Sequence, residues 1–155
     1  MSQSRSPDLY AVLGAPDTVE GRFELLTLHV ILIIERLRDE GPAAVQTSQA
    51  LFDLYCRNLD GALREMGVGD FTVSKRMKAL GSAFYGRAAA YRAAFAALPD
   101  EGELAAVITR TLMSGEVTCD PHPLAAYAAD RRRDLAARDV ADLLAGSPPW
   151  PAPSA

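Results

Sequence analysis

Residues 24–35 read Glu-Leu-Leu-Thr-Leu-His-Val-Ile-Leu-Ile-Ile-Glu, the longest apolar block in the 155-residue chain. A membrane-spanning helix needs about 20 predominantly apolar residues. This block is half that length, is interrupted by Thr27 and His29, and is closed by Glu24 and Glu35. Two apolar stripes run through it at helical spacing. Phe23, Leu26, Val30, Ile33 and Leu37 form one, and Leu25, Leu28 and Leu32 form the other. A helix that is apolar on two faces belongs in the middle of a bundle. The spacing predicts a buried central helix to about Asp39, capped by Asp17, with Glu20 reaching back to the free amides. Gly41-Pro42 stops it.

Helical period continues on both sides. Asp8–Leu13 is expected as a short helix ending at Gly14. A second long helix is expected over residues 43–66, with Leu51, Tyr55, Leu59, Ala62 and Met66 at spacings of three and four. Gly67 is placed to end it. A third helix follows to about Leu98, with Val73, Met77, Leu80, Phe84, Ala88, Tyr91, Phe95 and Leu98 as its stripe. Gly81 and Gly86 inside it each cost about 1 kcal/mol relative to Ala, which implies close approach by a neighbour or a bend. Pro99-Asp100-Glu101-Gly102 introduces a short helix over residues 103–114, and Asp120-Pro121-His122-Pro123 opens a last one to about Ala145. No alternating strand pattern occurs. The fold class is therefore all-α, a single-domain helical bundle of about five to six helices over residues 8–146, with flexible tails at 1–7 and 147–155.

The chemistry that the sequence excludes is broad. No glycine loop for phosphate follows a strand, because Gly67-Val68-Gly69-Asp70 lacks the strand and the third glycine. Cys56, Cys119, His29 and His122 are scattered and do not supply the roughly four clustered ligands of a zinc site. His29 reads as a hydrogen-bonded core histidine rather than a base or ligand. No catalytic, cofactor-binding or metal-binding residue is expected. The net charge of −4 disfavours nucleic acid and anionic lipid for the molecule as a whole, and DNA is not expected as a partner. The start Met-Ser-Gln-Ser-Arg-Ser-Pro has no apolar stretch behind it, so a cytoplasmic protein is expected. Arg supplies 14 of the 16 basic side chains in an alanine-rich chain, the composition of a GC-rich bacterial genome.

One segment departs from the overall charge. Residues 71–99 hold no Asp or Glu but include Lys75, Arg76, Lys78, Arg87 and Arg92, a charge of +5 that leaves −9 for the rest. Lys75, Lys78, Ser82, Tyr85, Ala89 and Arg92 share one stripe. Two readings stand open. The stripe is either a solvated face paired with carboxylates of neighbouring helices, or a contact surface for an anionic partner such as RNA, lipid headgroups or an acidic protein loop, which would make residues 71–98 an RNA- or ribosome-associated module. Arg131-Arg132-Arg133 is flanked by Asp130, Asp134 and Asp139 and reads as surface pairs.

Three ordered blocks carry a resemblance. The first is Pro16-Asp17-Thr18-Val19-Glu20-Gly21-Arg22-Phe23-Glu24 with Leu28-His29. The second is Leu51-Phe52 with Asp60 and Arg64-Glu65-Met66-Gly67. The third runs from Gly67 to Lys78 and continues through Gly81 and Ala83-Phe84-Tyr85-Gly86-Arg87. Over residues 9–98 the chain resembles the ubiquinol–cytochrome c chaperones, assembly factors of the respiratory complex that oxidises ubiquinol. The resemblance implies a non-enzymatic all-α protein without a cofactor. It would bind newly made cytochrome b and reach the inner membrane only peripherally, through that client. Mitochondrial relatives work with a second protein and associate with ribosomes. An apolar client with charged loops needs apolar contacts and a polar rim, and aromatics and Arg dominate interfaces. Lys75, Arg76, Lys78, Phe84, Tyr85, Arg87 and Arg92 are therefore the expected partner-binding residues.

Overall fold

The computed structural model describes residues 3–65, 67, 70–113, 119–146 and 149–150, with side chains outside 70–76. A 3-10 turn at Gln3–Arg5 precedes seven α-helices: α1 (Pro7–Ala11), α2 (Val19–Arg36), α3 (Pro42–Glu65), α4 (Asp70–Ala96), α5 (Gly102–Thr111), α6 (His122–Ala136) and α7 (Val140–Leu144). Among the described residues there is no strand, and five of the helices have ten residues or more.

The central helix is α2. It packs against α3, α4, α6 and the N-terminal turn. Leu25, Leu28 and Ile31 are fully buried, and Leu32 is 2% exposed. Burying a side chain of this size contributes about 1.5–3 kcal/mol each, so the 24–35 stretch holds the fold together. Thr27 is buried as well. Its hydroxyl lies 2.8 Å from the Phe23 carbonyl and 2.8 Å from the Tyr55 phenol, so the polar atom is paired. No described helix is long and apolar enough to cross a membrane.

Several boundaries differ from the sequence expectation, each for a local reason. Thr18, not Asp17, caps α2. Its backbone is extended and its hydroxyl accepts the Gly21 N–H at 3.0 Å, while Asp17 turns outward to Arg22. The expected last helix is two helices. Asp139 adopts an extended backbone, and its carboxylate accepts the Ala141 N–H at 2.8 Å, which restarts the chain as α7. The stretches read as loose tails are not loose at 3–6 or 149–150. Ser4 and Ser6 are buried, and Trp150 is 5% exposed. Its indole donates to the Arg131 carbonyl at 3.1 Å and meets the His29 ring edge-on at 5.3 Å. The remaining tail residues lie outside the described set.

The glycines also fall differently. A Cβ at Gly81 or Gly86 would meet nothing within 4 Å, so no neighbour approaches either one. The tight glycine is Gly21, where a Cβ would lie 2.0 Å from the Pro16 carbonyl oxygen. The chain entering α2 folds back against that position.

Candidate functional site

The motif helix α4 presents two different faces. Inward, Phe84 is 3% exposed and sits in an aromatic cluster, with ring centroids 4.9 Å from Phe52 and 5.4 Å from Tyr55. Phe23 joins the cluster through Tyr55 at 6.3 Å. Burial pushes the Tyr55 phenol up to about 12, against the opposing bond with Thr27. Outward, Tyr85 is 65% exposed, with its ring 5.7 Å from Phe52. Adjacent residues of one helix turn thus do opposite jobs: Phe84 holds α4 to α3, and Tyr85 faces solvent.

The cations of α4 separate in the same way. Arg87 forms a two-point pair with the buried carboxylate of Glu24 on α2, with Nε donating to Oε2 at 2.8 Å and Nη2 to Oε1. Burial lifts the Glu24 carboxyl above its ordinary value, and Arg87 works against that lift. Arg92 donates to both oxygens of Glu35 at 2.8 Å, and Arg38 donates to the same carboxylate. Burial raises Glu35, but these guanidinium bonds outweigh it and hold the carboxyl below its usual value. Lys78 is exposed and has no ion-pair partner among the described residues. The side chains of Lys75 and Arg76 lie outside the described set. A surface for RNA or the ribosome needs a run of free cations. With Arg87 and Arg92 both bound to carboxylates of α2, the structure gives that reading no support.

His29 is the hydrogen-bonded core histidine expected. Nδ1–H donates to the Leu25 carbonyl at 2.7 Å, which fixes the tautomer, and Nε2 accepts from the Tyr127 hydroxyl at 2.8 Å. Burial lowers its pKa to about 4, against the Leu25 bond. The ring is neutral and structural at neutral pH. Among the described residues no group of three or more His, Cys, Asp or Glu is arranged to hold a metal ion.

A second surface was not singled out by sequence. A groove of about 920 Å³ opens between the N-terminal turn, the start of α2, the C-terminal half of α3 and Leu80 of α4. Phe23, Leu26, Leu59, Leu63 and Leu80 line it, and all five are half-buried. Arg5, Glu20, Arg22, Arg57 and Glu65 stand around them. Periodicity assigned Phe23, Leu26, Leu59 and Leu80 to core stripes, which is correct for one side of each chain. It does not show that the other sides share an open groove. The signal available in the sequence was that Val19, Glu20, Arg22 and Phe23 of the first motif block and Glu65 of the second line it.

The model of the ubiquinol–cytochrome c chaperone family matches residues 11–150. The chain belongs to this family. A solved relative agrees with the assignment. The crystal structure of the Cbp3 homolog from Brucella abortus superposes with a TM-score of 0.82 at 39% sequence identity, over 92% of this chain and 79% of that one. No curated protein matches at the significance required. The family match extends past Pro99 to Trp150, so the C-terminal helices and the buried indole are part of the chaperone fold. Family membership implies a role in assembling the cytochrome bc complex rather than catalysis.

Proposed function

We propose that this chaperone binds newly made cytochrome b and promotes its entry into ubiquinol–cytochrome c reductase, acting as a single helical domain that extends beyond residues 8–146 to include Trp150. The family match over 11–150 carries the proposal. An unassembled membrane subunit exposes surfaces meant for its partners and aggregates or is degraded unless they are shielded. In this reading the protein meets the membrane peripherally, through its client; no described helix is long and apolar enough to cross one. On α4 the client-contacting side chains are Tyr85, Lys78 and the exposed side of Arg92, together with Lys75 and Arg76. Phe84 and Arg87 act indirectly, by fixing the helix that presents them.

The test is deletion of the gene in its host. Assembled reductase and haem-bearing cytochrome b should fall while cytochrome b messenger RNA stays roughly constant. A chaperone must release its client, so the purified mature complex should carry little of this protein. Unchanged complex levels in a strain without a second family member would end the proposal.

A further inference from the structure

The two ends of the chain close over one spot on the bundle. Between Leu135 of α6 and Trp150, none of the described residues (136–146 and 149) is buried, and α7 buries none of its five side chains. This C-terminal strap leans on the core through half-buried Leu143, and its deep anchor is the Trp150 indole, 5% exposed. That ring meets His29 edge-on at 5.3 Å, and its N–H donates to the Arg131 carbonyl at 3.1 Å. The N-terminal turn reaches the same spot. Tyr127 gives its proton to His29 Nε2 at 2.8 Å, which leaves the phenol oxygen to accept from the side-chain amide of Gln3. Trp150, His29, Tyr127 and Gln3 thus touch in succession, from one end of the chain to the other. The same turn supplies Ser4 and Arg5 to the wall of the groove.

The seat of the indole is imperfect in one respect. Arg131 lays its guanidinium over the Tyr127 ring at 5.3 Å, and its Nε is buried with no hydrogen-bond partner among the described residues. A buried N–H without a partner works against the closed form, and water admitted on opening would satisfy it. Leu25, Leu28 and Ile31 of α2, by contrast, are fully buried. Opening of the two ends therefore costs less than unfolding of the bundle. We propose that Trp150 is the latch of a two-ended clasp. When the indole leaves its seat, His29 and Tyr127 lose their cover, the bond to Gln3 loosens, and the N-terminal turn opens together with the C-terminal strap. The groove wall at Ser4 and Arg5 moves with that turn, so a latch at one end of the chain sets the shape of a groove lined by the other.

Hydrogen exchange followed by NMR on the full chain tests the clasp. The Ser6 and Leu9 amides donate to the Gln3 and Ser6 carbonyls at 3.2 Å each and report on the N-terminal turn. In Trp150→Ala they should exchange about fivefold faster, the weight of one lost hydrogen bond on an opening equilibrium. In Gln3→Ala the indole N–H of Trp150, the single tryptophan, should exchange faster by a similar factor, because coupling between two sites is reciprocal. The Leu28 and Ile31 amides of α2 should not change in either variant. Tyr127→Phe removes the hydroxyl that joins the two halves, so adding Trp150→Ala to it should no longer alter Ser6 and Leu9. Three results would overturn the proposal: Ser6 and Leu9 unmoved in Trp150→Ala, the indole N–H unmoved in Gln3→Ala, or an equal rise at Leu28 and Ile31, which would mean that the whole bundle has weakened. A Trp150→Ala effect that persists in Tyr127→Phe would overturn the route through His29 and Tyr127. Gln3→Ala keeps the tryptophan, and it decides the question even where Trp150→Ala does not fold.

Discussion

The Arg36 guanidinium, in the last turn of α2, donates to the Leu135 carbonyl at 2.9 Å and to the Arg138 carbonyl at 3.0 Å. Helix ends leave carbonyls without intrahelical partners, and here the side chain of one helix satisfies those at the end of another. The geometry explains why the chain breaks between α6 and α7. Once Arg36 holds the carbonyls of Leu135 and Arg138, the backbone is free to turn, and Asp139 begins the next helix. Arg36→Ala should therefore cost about 1.5–3 kcal/mol in denaturant unfolding, the range for hydrogen bonds to a charged group, even though the Leu135 carbonyl keeps the Arg138 N–H at 3.1 Å. Arg36→Lys should recover only part of it, because an ammonium cannot reproduce the planar fork.

Gly21 and Gly86 should respond oppositely to the same substitution. A methyl at Gly21 collides with the Pro16 carbonyl oxygen, a backbone atom that cannot step aside without moving the entry to α2. Gly21→Ala should cost about 3 kcal/mol, at the upper end for overpacking. Gly86→Ala meets open space inside α4 and should stabilise by up to about 1 kcal/mol. Thermal unfolding of the two variants checks both signs. A stabilised Gly21→Ala would mean that the entry turn is placed wrongly.

These two glycines show what sequence reading reached and where it stopped. Helical class and the burial of Leu25, Leu28 and Leu32 followed from period alone, because a two-faced apolar stripe has few places to go. Sequence singles out Gly81 and Gly86 for close approach and passes over Gly21, since composition registers the propensity cost but not the neighbour. The same limit applied to charge. Arg87 and Arg92 lie in a basic segment for which sequence leaves two readings open, paired with neighbouring carboxylates or facing an anionic partner, and only the three-dimensional fold brings Glu24 and Glu35 of α2 against them. Half-burial is likewise invisible to periodicity, so the groove over Leu59 and Leu63 was not legible.

Stability should fall with acidification through His29. Its folded pKa is about 4 against an ordinary 6.5, so between those values the unfolded chain binds a proton that the folded chain does not. Stability is then lost as pH falls from 6.5 to about 4, by about 3 kcal/mol in total. Glu35, also depressed, adds a loss of the same sign only below about 4.5. Trp150 touches His29, and it is the single tryptophan of the chain. Its fluorescence during urea titrations at several pH values reads the transition directly. His29→Gln should flatten the slope between pH 6.5 and 4; an unaltered slope would place the responsible group elsewhere.

Phe84 and Tyr85 are neighbours in sequence and opposites in exposure, which allows stability and client binding to be separated. Phe84→Ala empties a site in contact with Phe52 and Tyr55 and should cost about 3–5 kcal/mol. Any loss of cytochrome b in that variant would then be explained by lost fold. Tyr85→Ser removes a ring that is 65% exposed and should change stability by no more than about 0.5 kcal/mol. Exposed aromatics are frequent hot spots, where truncation costs about 2 kcal/mol or more of binding. Tyr85→Ser should therefore lower capture of newly made cytochrome b at least tenfold, roughly the weight of 1.4 kcal/mol, while its unfolding midpoint stays in place. Lys78→Glu should act in the same direction with a smaller effect, as a rim charge does. Capture by tagged chaperone from cells making labelled cytochrome b measures both. If Tyr85→Ser captures as much client as the wild type, the outward face of α4 is not the contact surface, and the client must engage another side of the bundle.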